Sequence, residues 1–237
     1  MQACALHDWQ ISIQEAIALQ KRLRQAVITS WNGGEIQYIA GADIATSKES
    51  PRAYAGVVVL SYPALEVVEE LGLEAEVRFP YVPGLLAFRE GPVLTRVFEQ
   101  LRTEPDVIVF DGQGLAHPRG MGIATHMGLI LDKPSIGCAK SLLFGRYQEP
   151  EAAQGVWADL RDPAGQVIGA VVRTKPKTNP VFVSIGHRID LETAIQVMVT
   201  CARGYRIPEP TRLAHNFVTR LRRTGGHQGA PPNQRDD

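Results

Sequence analysis

Cysteine is scarce in this sequence, and its three residues, Cys4, Cys138 and Cys201, are far apart and include no CxxC pair. The odd number and the wide spacing argue against a disulfide framework and a structural zinc site, and they indicate a reducing compartment. Long apolar runs are also lacking, because Gly, Pro or charge interrupts stretches such as MGLILDKPSIG well before the roughly 18 residues of a membrane span. The N-terminal MQACALHDWQ has no basic segment followed by an apolar core, so no signal peptide is indicated. We therefore expect a cytoplasmic protein with no membrane partner.

An excess of charge of either sign is lacking too. Lys and Arg together number 25, as do Asp and Glu, so the formal net charge is zero. This balance argues against a polycation but leaves room for a local basic face. The length of 237 residues suits one sizeable domain. We expect this domain to span residues 1–223, to be followed by a disordered tail at 224–237, and to work as a monomer.

Hydrophobic periodicity predicts an α/β protein. Residues 11–30 have apolar side chains at helical spacing, and three strands rich in β-formers follow. A helix at 91–101, the buried strand DVIVF, a helix at 117–132 and the short strand PSIGCAK come next. The polar stretch 146–166 is predicted to be an excursion, and two strands and two helices complete the chain. Hairpins followed by crossovers indicate a mixed sheet with helices on its faces.

Three acidic residues interrupt or follow apolar segments. Asp43 lies within a strand, Asp111 directly follows DVIVF, and Glu90 precedes the helix at 91–101. Each has an ordinary interpretation: a strand-end bulge, an Asp-Gly turn and a solvated side chain. Taken together, three acids on separate elements suit Mg²⁺, which prefers oxygen ligands and is often bound by carboxylates plus substrate phosphates.

Basic residues follow neighbouring strand ends. His117 and Arg119 come one loop after Asp111, Lys140 ends the next strand, and His187 and Arg188 follow the strand VFVSIG. We expect these loops to lie at the Asp111 edge of the sheet. Solvated loop cations are the ordinary alternative for each. The last helix adds a basic face, which includes His215 and which could follow a nucleic-acid backbone.

The segment FPYVPGLLAFRE has an unusual pattern. Pro80 and Pro83 bracket Tyr81 and Val82. Because proline fixes φ and lacks an N–H, two prolines three residues apart predict a stiff loop. That loop holds an aromatic side chain a few residues before Glu90.

Several of these blocks together resemble the endonuclease V family of deoxyinosine-directed repair nucleases. The blocks are GADIA, PYVPGLLAFREGP, FDGQGLAHPRGMGIATHMGLILDKPSIGCAKSLL, GHRIDLETAI and YRIPEPTRLAH, which occur in order between about residues 10 and 222. The resemblance implies a ribonuclease H-like fold, with a central mixed five-stranded sheet flanked by helices. It implies Mg²⁺ as the cofactor, with Mn²⁺ as a substitute, held by Asp43, Glu90 and Asp111. It also implies hydrolysis of the second phosphodiester bond 3′ to the deaminated base, leaving 3′-hydroxyl and 5′-phosphate ends.

The resemblance also assigns the remaining site residues. It places Lys140 and His215 in the active site, and it makes Pro80, Tyr81, Val82 and Pro83 a wedge that separates strands at the lesion. His117 and His187 are expected to contact DNA. The lesion pocket is expected to be lined by Gly84, Leu85, Leu86, Gly112 and Gly122.

Two alternatives stay open. One is an enzyme of the same fold that cuts inosine in RNA, because members of the family can accept RNA and the sequence does not rank single-stranded DNA, double-stranded DNA and RNA. The other is a non-catalytic module that binds inosine-containing nucleic acid. This module predicts that at least one of the three acids is missing, and all three are present.

Overall fold

The computed structural model describes residues 1–46 and 51–225 of the chain. Their strands form a single sheet in the order β3-β2-β1-β4-β5-β8-β7-β6. Strands β1 and β4, and β4 and β5, pair in parallel, and all other neighbours pair antiparallel. The strands are β1 (Tyr38–Thr46), β2 (Arg52–Ser61), β3 (Val67–Glu76), β4 (Val107–Phe110), β5 (Ser135–Ala139), β6 (Trp157–Arg161), β7 (Val167–Val172) and β8 (Val181–His187).

The predicted α/β class and mixed sheet are confirmed, but the sheet has eight strands instead of five. The first five strands in spatial order, β3-β2-β1-β4-β5, form the mixed part, and β8, β7 and β6 extend it as antiparallel neighbours. Strand β6 lies inside the stretch 146–166 that we predicted to be an excursion, because the pairing of Trp157–Arg161 with β7 outweighs the polar composition.

Five α-helices lie within the described ranges: α1 (Ile13–Leu23), α2 (Leu86–Gln100), α3 (Ile123–Leu131), α4 (Leu191–Thr200) and α5 (Glu209–Arg223). Helix α1 continues only as a short 3₁₀ turn at Arg24–Ala26, so the predicted helix 11–30 is too long. Helix α3 begins at Ile123 and not at residue 117, because Gly120 takes a left-handed φ of 62° in the preceding loop. No helix of the described ranges has the length and apolar character that a membrane span requires.

The two faces of the sheet bury separate hydrophobic clusters, as the period of two in a strand requires. Ile39 and Val109 pack on the side of α4 and α5, against residues such as Met198 and Phe217. Ala40 and Phe110 pack on the side of α2 and α3, where the residues include Phe98 and Met127. Helices on both faces therefore leave the ends of the strands as the places where loops meet.

The predicted boundary at residue 223 coincides with the end of α5 at Arg223. Most of the predicted tail, residues 226–237, lies outside the described residues. A disordered tail and a single domain at 1–223 stay predictions.

Candidate active site

The parallel strands β1 and β4 bring Asp43 and Asp111 together. The last parallel pair is Ala42 with Phe110, so both aspartates come immediately after the point where this pairing ends. The amide of Asp111 donates to the carbonyl of Ala42 (3.3 Å), which ties the two strand ends together. Asp43 lies within β1, beside the carboxyl end of β4, where ligands bind in α/β sheets.

Glu90 reaches the same region from α2, so the third acid lies within a helix and not before one. Burial, followed by the nearby charges of Asp43 and Asp111, raises the pKa of Glu90 to about 8. Burial and the charge of Asp111 also raise the pKa of Asp43. The acids therefore lie near enough for their charges to act on Asp43 and Glu90, which is the arrangement that a bound cation relieves.

Two nitrogen-bearing side chains, Lys140 and His215, contact these acids. The Lys140 ammonium, directly after β5, donates to the Asp111 carboxylate. His215 Nδ1 lies 2.8 Å from Asp43 Oδ2. Single ligand atoms of Asp43, Asp111 and His215 all lie within 4.8 Å of one another, which makes these residues a possible metal-binding group. Glu90 is not one of these three residues, but the charges of Asp43 and Asp111 act on its carboxyl group.

A close helix–strand approach places His215. Alternate residues of β1 face α5, and a Cβ at Gly41 would lie 1.9 Å from the carbonyl oxygen of Pro210. Only glycine permits this contact. Because α5 begins against Gly41, its His215 comes beside Asp43, two residues further along the same face of β1.

A cavity of about 340 Å³ opens beside the acids. Asp111 and Lys140 are among its lining residues, as are four of the five predicted pocket residues: Gly84, Leu86, Gly112 and Gly122. Bare backbone is required at Gly122, where a Cβ would lie 2.1 Å from the carbonyl oxygen of Gln113. The prediction was wrong for Leu85, whose side chain is fully buried with Phe79 and Phe88 and does not line the cavity.

The predicted wedge borders this cavity. Tyr81, Val82 and Pro83 all line it, and the Tyr81 side chain is 71% exposed. The loop is anchored from below, since Val82 packs on a buried cluster and Arg89 donates to the carbonyl of Phe79 (2.8 Å). An exposed aromatic ring on a fixed loop is consistent with the predicted stiffness. Pro80 is likewise exposed, at the start of the wedge.

His117 lies under the wedge. Its ring is 3% exposed, and its Nε2 lies 3.0 Å from the carbonyl oxygen of Gly84, whereas its Nδ1 accepts from the amides of Arg119 (3.1 Å) and Met121 (3.3 Å). Burial, followed by the charge of Arg119, lowers the pKa of His117 to about 4. The ring is therefore neutral at pH 7 with both nitrogens engaged, and the predicted DNA contact would require it to leave these partners.

His187 was expected at the same edge as Asp111, and this expectation was wrong. Strand β8 runs antiparallel to β5, and His187 pairs with Ser135 at the start of β5, whereas Lys140 follows its end. His187 is 2% exposed, accepts from the amide of Ile28 (3.2 Å) and lies 3.4 Å from Asp132 Oδ1. About 13 Å of strand separates it from the acidic edge, since each residue adds about 3.3 Å.

Two glutamines near the cavity were not predicted. Gln113 lines it, and its Oε1 is buried without a hydrogen-bond partner in the described parts of the chain. Gln20 lies beneath it, fully buried on α1. A polar residue within the apolar stripe of an amphipathic helix is the sequence signal that could have revealed Gln20.

The chain matches the family model described as Endonuclease V over residues 18–216. An endonuclease V of Gloeobacter violaceus is 47% identical over 222 residues, which cover 92% of this chain and 90% of that protein. One of Dehalococcoides mccartyi is 49% identical over 216 residues, with 91% and 96% covered.

Solved structures agree. An endonuclease V of Bacillus subtilis superposes with a TM-score of 0.90 at 32% identity, covering 95% of this chain and 98% of that one. An endonuclease V of Ciona intestinalis, bound to DNA that contains an inosine followed by a ribo-adenosine, gives 0.80 at 29% identity, with 90% and 98% covered. Family model, sequence relatives and fold agree, and the chain belongs to the endonuclease V family.

Proposed function

We propose that this chain is a metal-dependent endonuclease that recognises deaminated bases in DNA, above all deoxyinosine, and hydrolyses the second phosphodiester bond 3′ to the lesion. The observation that carries the proposal is the adjacency of three parts: the acids, a cavity with glycines in its wall, and the exposed Tyr81. A nuclease that reads a single base needs a pocket for the base, a site for the phosphate and a means of taking the base out of the stack.

Asp43, Glu90 and Asp111 would hold the metal, and we propose Mg²⁺, with Mn²⁺ as a substitute. The donors fit a hard cation because they are carboxylate oxygens. Burial, followed by the charges of the neighbouring acids, raises the pKa values of Asp43 and Glu90, and a bound cation would offset both effects. When bound, such a cation lowers the pKa of water and neutralises charge on phosphate oxygens.

Lys140 and His215 act on the phosphate and the water. The Lys140 ammonium, a point charge at the rim of the cavity, steadies the scissile phosphate. His215 is 55% exposed in its side chain and bonded to Asp43, so its ring is accessible to the attacking water or the departing oxygen. The water oxygen bonds to phosphorus, the P–O3′ bond breaks and O3′ takes up a proton, which leaves 3′-hydroxyl and 5′-phosphate ends.

Tyr81 supplies the strand separation. Its ring would enter the base stack at the lesion and offset the few kcal/mol that unstacking costs. The displaced hypoxanthine would enter the cavity, where the exposed backbone of Gly84, Gly112 and Gly122 allows close approach. Gln113 Oε1, which has no partner in the described residues, supplies an acceptor for the N1–H of hypoxanthine, a donor that adenine lacks.

The test is a nicking assay on a duplex with a single deoxyinosine, in Mg²⁺ and in chelator, with the cut mapped at nucleotide resolution. We expect one nick at the second bond 3′ to the lesion, in Mg²⁺ only, and none in a duplex with deoxyguanosine at that position. Stable binding to the inosine duplex with no nick in Mg²⁺ would instead favour the non-catalytic module.

A preference for inosine in RNA is the second candidate. The observation in its favour is the Ciona intestinalis complex, in which the inosine is followed by a ribo-adenosine. Rates on matched inosine-containing DNA and RNA strands decide between the two, and a large RNA preference would reverse our choice of substrate. A cytoplasmic location and a monomeric state stay predictions, and the latter is checked by light scattering of the purified protein.

A further inference from the structure

Gln20 is an amide buried on the face of α1 that packs towards the cavity loops. It is 0% exposed, and the apolar residues Ala16 and Leu19 on the same face are also buried. Burying an amide is costly unless its groups are hydrogen-bonded. Every polar group of this side chain is engaged, so its position in the core is specific.

The partners of Gln20 belong to both walls of the cavity. Its Nε2 donates to the carbonyl of Gly84 (3.0 Å), at the end of the wedge loop, and to the carbonyl of Met121 (3.0 Å), in the loop before α3. Because one nitrogen bonds both oxygens, the two oxygens lie no more than 6.0 Å apart (3.0 Å plus 3.0 Å). Both Gly84 and Met121 line the cavity.

Two further donors reinforce this junction. Gln20 Oε1 accepts from Arg119 Nε (2.5 Å), and Arg119 Nη2 donates to the Gly84 carbonyl (2.8 Å), which also lies 3.0 Å from His117 Nε2. The Gly84 oxygen thus has three nitrogen partners, from α1 and from the loop 117–122. Gly84 itself has a φ of 80°, and a Cβ there would lie 2.7 Å from Arg119 Nη2. We call Gln20, Gly84, His117, Arg119 and Met121 the Gln20 clamp.

We propose that Gln20 is a positioning residue that fixes the spacing between the wedge loop and the loop 117–122, and so determines how well a flipped deaminated base is distinguished from a normal one. The proposal rests on the proposed function. Gln20 does not touch DNA, since its side chain is wholly buried. It acts because the two carbonyls that it bonds belong to the loop that separates the strands and the loop that receives the base. Misplacement by about 1 Å can cost about a hundredfold in rate.

The chain offers a matched control on the same helix. Ser12 begins α1 with a capping box, in which its hydroxyl accepts from the amide of Glu15 (3.2 Å). Ser12→Ala removes this cap and destabilises α1 without touching the Gln20 clamp. If the role of Gln20 is merely structural, Gln20→Leu and Ser12→Ala should have the same effect on selectivity when each variant is assayed at the same interval below its own melting temperature.

The experiment measures Kd for duplexes with deoxyinosine and with deoxyguanosine, in chelator so that no cleavage intervenes, and then kcat and KM on the inosine duplex in Mg²⁺. We expect Gln20→Leu to lower the ratio of the two affinities about tenfold or more, whereas Ser12→Ala leaves it unchanged. Gln20→Glu keeps the acceptor for Arg119 but loses the two donors, so it should lose selectivity as Gln20→Leu does.

An unchanged ratio in the folded Gln20→Glu or Gln20→Leu protein overturns the proposal, as does an equal loss in Ser12→Ala. If Gln20→Leu does not fold, Gln20→Glu decides alone, and if both fail to fold the residue is structural and the proposal is wrong. A wild-type chain that neither selects nor nicks deoxyinosine refutes the proposed function itself, and this result is distinct because it precedes any comparison of variants.

Discussion

Acidification from pH 7 to pH 4 should destabilise the protein, and His117 should account for a defined share of the loss. Its pKa is about 4 in the folded protein, compared with 6.5 for an ordinary histidine. Between these values the unfolded chain binds a proton that the folded chain does not, so stability is present above pH 6.5 and falls as the pH drops towards 4. One proton over about 2.5 pH units corresponds to about 3 kcal/mol, at about 1.4 kcal/mol per unit.

The cause of the low pKa lies in the contacts of the ring. Its Nδ1 accepts two backbone hydrogen bonds, from Arg119 and Met121, and a proton on this nitrogen would break both. The charge of Arg119 opposes protonation further, and burial is the largest cause. His126, fully buried with a pKa lowered to about 3, contributes in the same direction, so the measurement must isolate His117 by substitution.

The assay is urea unfolding across pH 7 to 4 for the wild type and for His117→Gln. The substitution should lower stability at pH 7, because a ring that donates to Gly84 is lost. It should also make the free energy of unfolding depend less steeply on pH, because about one proton fewer is taken up on unfolding. A wild-type slope in the His117→Gln protein would refute the claim that this ring stays neutral in the fold. His126 remains in both proteins, so its contribution cancels from the difference.

Three substitutions test the rest of the site. Asp43→Ala should abolish nicking and weaken Mg²⁺ binding with little change in melting temperature; unchanged turnover on the inosine duplex would contradict the proposal that Asp43 is a metal ligand. Tyr81→Ala should weaken selection of the lesion in duplex DNA and shift stability by less than about 0.5 kcal/mol, because the ring is 71% exposed; equal losses on inosine and undamaged duplexes would exclude the wedge. Gly41→Ala should cost about 3 kcal/mol and lower turnover, because its Cβ would lie 1.9 Å from the Pro210 oxygen and force α5 outwards; wild-type melting and activity would contradict this.

Much of the site was predictable because its signals are local. Asp111 follows a continuous β-branched run, and such a run has its ligand-binding end at the carboxyl edge of a parallel sheet. Asp43 was detectable as a carboxylate inside an apolar strand, and the two prolines around Tyr81 gave the stiff loop. In each case the residue and the element that positions it are neighbours in sequence.

The errors concern relations between distant segments. The direction of β8 relative to β5 is set by tertiary pairing, so the sequence of VFVSIGH did not reveal that His187 lies at the far edge. Strand β6 is polar because it lies at the edge of the sheet, where its pairing with β7 determines the conformation. Leu85 lies between the cavity residues Gly84 and Leu86 in sequence, but the turn with a positive φ at Gly84 directs its side chain inwards.

The contacts of the three acids bear on the proposed chemistry. Asp111 is paired with Lys140 and Asp43 with His215, so two of the three acids already have a protein partner. For Glu90, burial, followed by the charges of Asp43 and Asp111, raises the pKa to about 8, and the charge of Arg89 opposes this shift. Lys140, which is paired with Asp111, also lines the rim of the cavity. If Asp43, Glu90 and Asp111 hold a divalent cation, as we propose, the contacts of Lys140 with Asp111 and of His215 with Asp43 are replaced, and both side chains become available to the substrate.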